Sequence, residues 1–129
     1  MTERKTSYGS ILCVAIVASF FFLMGAQALF DPDSTLDYFG NGPLGPDMRS
    51  EVRAVYGGFG IAISLLLLAS FRFASLAPGI RITVAGALLG MAMGRIVSRL
   101  TEAPEGIYPL LFFFGEIILA ALLLYSLRD

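Results

Sequence analysis

Three ionisable side chains stand inside or at the edge of long apolar stretches of this chain: Arg53, Arg95 and Glu116. The sharpest case is LLFFFGEIILAALLL, residues 110–124, where one carboxylate is surrounded by apolar side chains and a glycine. A carboxylate so placed either has a cationic partner or carries a proton. Charge at such a position costs roughly 2.5–3.5 kcal/mol on insertion scales, and a glutamate is too short to escape by snorkelling. Arginine is the natural counter-ion, because its planar guanidinium grips a carboxylate with two hydrogen bonds where lysine acts as a point charge. Glu116 is therefore expected to pair with Arg95 and to share Arg53, with the Tyr56 hydroxyl close by. Such a cluster fixes helix order and register, or it anchors a ligand or moves a proton; both roles stay open.

The elements that must position these residues are helices in a membrane. The chain has 129 residues, is 57% hydrophobic and only 15% charged, and its mean hydropathy is +0.78. That is far from the mix of a soluble domain. Four apolar runs, about residues 8–30, 52–71, 80–100 and 109–127, each come close to the roughly 20 residues that cross a hydrocarbon core. None alternates, and each is twice the length of a barrel strand. The expected fold is all-α, an integral membrane four-helix antiparallel bundle in a single domain. The loop of residues 31–50 carries prolines, glycines and aspartates and has room for one amphipathic turn around Leu36 and Phe39. The second connection reads as a tight turn built on Pro78 and Gly79. Short links between later runs make consecutive helices antiparallel neighbours.

Charge on alternate sides sets the expected orientation. Arg4, Lys5, Arg72, Arg81 and Arg128 against Glu3 and Asp129 make one side net +3, while the side carrying residues 31–50 is net −4. Lys and Arg in short loops face the cytoplasm, so both termini are expected there and the loop outside. Arg4, Lys5 and the small residues Ala26 and Ala28 also fit a secretory signal, but the apolar stretch is longer than a signal core, and an uncleaved helix is the expectation. With this orientation Arg95 and Glu116 lie about 8 Å and 10 Å inside the outer boundary, at one level.

Residue content excludes much chemistry. There is no histidine and only one cysteine, Cys13, so His-based acid–base work, ligation by histidine and exchange between paired cysteines are out. No glycine-rich phosphate loop is present, and the basic residues are too few and too divided for nucleic acid. No cofactor and no metal is expected. Gly86, Gly90 and Gly94 recur every fourth residue, and Gly57, Gly58 and Gly60 open the second run. Small residues let helix backbones touch in lipid, and the expectation is that these faces pack the second and third spans together.

The stretches EVRAVYGGFGIAISLLLLASF, GALLGMAMGRIVSRL and GEIILAALLLYSL, taken in that order, resemble a family of small four-span bacterial membrane proteins known as domain of unknown function 4345. The family's Arg-Ala-x-Tyr-Gly-Gly start falls on Arg53, Ala54, Tyr56, Gly57 and Gly58, its Gly-Arg on Gly94 and Arg95, and its glutamate on Glu116. Thr101-Glu102-Ala103-Pro104 stands where Asp-Gly-x-Pro is usual. The resemblance implies a multi-pass protein of the bacterial inner membrane and supplies no activity. Three classes of function remain. The first expected is a non-catalytic accessory or scaffold subunit of a membrane complex, with the lipid bilayer and other membrane subunits as partners. Next comes a carrier or binder of a lipophilic or anionic ligand held by Arg53 and Arg95. An intramembrane enzyme with Glu116 as acid–base group and Tyr56 assisting ranks last, for want of a nucleophile or metal set.

Overall fold

The structure, a computed structural model, describes residues 6–129; Glu3, Arg4 and Lys5, which enter the charge count above, lie outside the described residues. Helix α1 (Tyr8–Phe30) starts at Ser7, whose hydroxyl accepts the backbone N–H of Ser10 at 3.3 Å. That bond satisfies one of the orphan donors of a helix start. Asp31 ends α1 and caps the short α2 (Pro32–Asp37), accepting from the Ser34 N–H, and Pro32 enters where its missing donor costs nothing. The amphipathic turn expected around Leu36 is this helix. Gly40, at φ 76°, then turns the chain through the left-handed region that glycine tolerates.

The second long helix begins at Pro46, ahead of the Val52 expected from hydropathy, because charged residues occupy its exposed first turns. It runs as α3 (Pro46–Val52), a π-helical segment Arg53–Gly58, and α4 (Phe59–Ala69). After a turn over residues 70–76 comes α5 (Ala77–Thr101), then α6 (Tyr108–Tyr125), which tightens into a 3-10 turn at Ser126–Arg128. Pro78 and Gly79 do not build the turn; they sit in the first turn of α5, where proline is pre-organised for helix.

The molecule is an all-α bundle. α1 packs on α4 and on α6, while α5 packs on α6 and only lightly on α4. Val14, Val17, Ala18 and Phe21 of α1 meet Leu67, Val84, Ala85, Leu88, Leu119, Ala120 and Leu123 in one buried cluster. Ser64 donates to the Ala18 carbonyl at 2.8 Å, tying α4 to α1 without leaving a polar atom stranded. Outside, the surface is as apolar as the inside: Leu12 is 62% exposed, Leu65 58% and Ile118 59%. Water would not tolerate so continuous an apolar surface, and lipid would. Four helices, 23, 24, 25 and 21 residues long, are long and apolar enough to cross a membrane, as a multi-pass membrane protein requires.

Glycine placement corrects the sequence reading. A Cβ on Gly86, Gly90 or Gly94 would meet no atom within 4 Å, so that face of α5 looks outward, and Gly58 meets only the Arg53 carbonyl at 3.7 Å. The close approach is between α1 and the second helix. A Cβ on Gly25 would lie 2.8 Å from the Ile61 nitrogen and 2.9 Å from the Gly57 carbonyl oxygen, and one on Gly60 would lie 3.0 Å from the Phe21 oxygen. Period alone marks a small-residue face but not which way it turns.

Candidate functional site

The bundle has a terminal end, with Ser7, residues 70–76 and Asp129, and a loop end, with α2 and residues 102–107. At the loop end α5 and α6 run side by side, and this brings Arg95 to Glu116. The Arg95 Nε donates to both Glu116 oxygens, at 3.0 Å and 2.9 Å, and Nη2 donates to Oε1 at 2.7 Å. The Glu116 side chain is 5% exposed and that of Arg95 26%. One edge of the guanidinium is thus spent on the carboxylate. Nη1 has no protein acceptor among the described residues, and no buried side-chain polar atom is left unpartnered, so this nitrogen opens onto free space.

Around the pair stands an aromatic wall. The Arg95 guanidinium lies 5.4 Å from the centre of the Phe112 ring, a cation–π distance. Phe112 touches Phe39 and Tyr38, with ring centres at 5.8 Å and 6.3 Å, and Tyr38 meets Tyr108 at 5.1 Å. The turn that follows α2 therefore closes over α6 from the loop side. It is held there by Asp33, which accepts from the Leu44 N–H at 2.9 Å and from Arg49 Nη2 at 2.9 Å. The Arg49 hydrogen bond, with that of Leu44, holds the Asp33 carboxyl below the ordinary carboxylate range.

Between this wall and α1 lies a cavity of about 570 Å³, lined by Phe21, Met24, Gln27, Tyr56, Leu88 and Gly115 together with Arg95, Glu116 and the aromatic rings. Of the expected cluster, then, Arg95, Glu116 and Tyr56 share one cavity. Arg53 does not join them: its Nε donates to the Leu29 carbonyl at 3.1 Å, at the end of α1, and it forms no ion pair with Glu116. The Tyr56 hydroxyl makes no hydrogen bond to the pair among the described residues, so the phenol contributes wall and a free polar tip. The π-helical segment covers the whole Arg53–Gly58 motif, a geometry that hydropathy does not announce and that often accompanies functional positions.

A second polar set, at the terminal end, escaped the sequence reading. Arg81, counted there as a connection residue, is inside α5 and only 6% exposed; its Nη1 donates to the Ser126 carbonyl at 2.9 Å. Its Nε reaches the Ser70 hydroxyl at 3.5 Å. Nearby, the Asp129 carboxylate accepts from the Ser7 N–H at 2.9 Å and from the Ser10 hydroxyl, which holds it below the usual carboxylate range. This set joins the start of α1, the start of α5 and the chain end, and its bonds go to helix-end carbonyls and caps. Its work is structural.

No curated protein and no solved structure gives a significant match to this chain. A family model does match, over residues 11–127, which takes in both arginines of the motifs, the glutamate and all of the long helices but the first three residues of α1. The chain belongs to the family described as Domain of unknown function (DUF4345).

Proposed function

We propose that this protein is a non-catalytic, multi-pass protein of the bacterial inner membrane, with both termini cytoplasmic, whose loop-end cavity binds a lipophilic molecule carrying a hydrogen-bond acceptor or an anionic group. The observation that carries this reading is the cavity of about 570 Å³ with Arg95 in its wall. Its size falls within the range of small-molecule sites, and its lining is apolar and aromatic with a few convergent polar groups, the composition such sites have. Glu116 supports the role without being its centre: it neutralises and orients Arg95 while the other edge of the guanidinium remains available to an acceptor. The orientation rests on the charge asymmetry between the two ends.

Gly115 lines the cavity, and a Cβ there would meet nothing within 4 Å, so Gly115→Leu should fill the space without straining the fold. Protein purified in mild detergent, extracted and analysed by mass spectrometry should carry a stoichiometric small molecule that Gly115→Leu lacks. Identical extracts from the two proteins would remove the ligand reading.

The accessory-subunit reading stands second, and one observation favours it. Gly86, Gly90 and Gly94 form an outward small-residue face on α5 with no neighbour in the bundle, and such faces are where membrane helices associate. A stoichiometric membrane protein captured with the wild type and lost in Gly90→Leu would support this role; capture unchanged by the substitution would count against that face.

A further inference from the structure

We propose that a second groove, between the loop-end halves of α5 and α6, binds the phosphate diester of an anionic membrane lipid, with Arg99 as the cation that holds it. The groove has a volume of about 560 Å³ and shares only Phe39, Met91 and Arg95 with the cavity described above. Arg99 follows Arg95 by four residues and so lies on the same helix face, one turn nearer the loop. Both line the groove, as does Ser98.

The charge balance points to an anion. Arg95 is neutralised by Glu116, whereas Arg99 is exposed and forms no ion pair among the described residues, neither with Glu102 nor with Glu105. The groove therefore holds one uncompensated positive charge, that of Arg99, whose guanidinium donors have no protein acceptor among the described residues. Guanidinium groups bind phosphate oxygens through paired, charge-assisted hydrogen bonds. A single negative charge matches this balance, and Glu102 and Glu105 in the adjoining loop oppose a second one.

Depth and lining point to a lipid as the source of that phosphate. α5 ends at Thr101, so at 1.5 Å per residue Arg99 lies about 3 Å and Arg95 about 9 Å from its end, spanning the level where headgroups meet the hydrocarbon. Beside the arginines the walls are Ile96, Leu110 and Phe113, and below them Gly94 and Met91, surfaces that suit acyl chains and give a small hydrated anion nothing to bind.

The test is native mass spectrometry of the full chain released from detergent micelles, with phosphatidylglycerol or phosphatidylcholine added in turn. Phosphatidylglycerol is expected to bind more tightly than phosphatidylcholine and to stay bound in excess inorganic phosphate. Arg99→Gln should weaken it about tenfold, the scale of one lost charge-assisted interaction. Ser98→Glu, which puts a negative charge into the groove at another exposed position, should abolish it. Gly115→Leu, which fills the other cavity, should leave it unchanged, so failure of the small-molecule reading and failure of this one are separable. Equal binding of the two lipids, displacement by inorganic phosphate, or wild-type affinity in both Arg99→Gln and Ser98→Glu would overturn the proposal.

Discussion

At the scale of single residues, the pair of Arg95 and Glu116 is where sequence and structure meet most closely. A carboxylate in an apolar run demands a partner, and the arginine at matching depth on the preceding helix supplies it with three hydrogen bonds. Removing one member leaves the other uncompensated, which costs roughly 3–5 kcal/mol in a dry site. The effect here should fall toward the lower end, because the Arg95 side chain is 26% exposed. Glu116→Gln and Arg95→Met should each lower thermal stability in detergent, and the double variant should lose less than the two losses added. Additive losses would remove the pair as an energetic unit. Arg53 was drawn to the same cluster by its depth in the sequence, yet the first acceptor it finds is the open carbonyl at the end of α1; depth along one helix says nothing about azimuth around the bundle. Asp33 carries a pH dependence. Its carboxyl is held below the ordinary 3.8 by Arg49, so its contribution is fully present above that value and is lost as pH falls through the depressed one. Amide exchange at Leu44, normalised to an unstructured peptide, should therefore rise in acid below about pH 4, and Asp33→Asn should show the raised exchange already at neutral pH. Wild-type protection in Asp33→Asn would show that the tether does not hold this loop.

Among the elements, the four long helices follow from composition, since apolar runs of these lengths have no other stable form in a bilayer. Which faces meet does not follow. Gly86, Gly90 and Gly94 have the spacing of a packing face and turn out to look outward, while Gly25, with no small-residue period to mark it, takes the tightest contact with a neighbouring backbone. Gly25→Ala should cost about 1–3 kcal/mol, since a Cβ there presses on the backbone of Ile61 and Gly57, which cannot step aside. Gly57→Ala should cost less, because its Cβ meets the Leu29 side chain first, Cδ2 and Cγ at 2.8 Å, with the Leu29 backbone nitrogen farther off at 3.3 Å. Gly90→Leu should leave thermal stability of the isolated chain unchanged. Comparable losses in Gly25→Ala and Gly90→Leu would show that the helices are rotated from the arrangement described. The π-helical segment belongs to this scale as well. It places an extra residue in the helix opposite Gly25 and Leu29, where the two backbones come closest, and Tyr56 of that segment reaches the cavity wall.

For the molecule as a whole, the asymmetry of charge carries one more prediction. Reporters fused after Asp129 and inserted at Gly42 should report the cytoplasm and the outside respectively; the reverse pattern would invert the orientation and put the cavity at the cytoplasmic face. Residue types and their order along the chain determined by themselves that the protein is helical, that it suits lipid rather than water, and that Glu116 needs Arg95. The reason is that these depend on hydrophobic length and on depth, both of which are read along one axis. Rotation of each helix about that axis was decided only by tertiary packing. Lipid is as apolar as a leucine core, so no hydrophobic contrast marks the buried face of a spanning helix, and close fit between particular surfaces settles it instead. The outward turn of the α5 glycines, the burial of Arg81 against Ser126, the separation of Arg53 from the pair and the aromatic wall that Tyr38 and Phe39 raise over the cavity all follow from that choice.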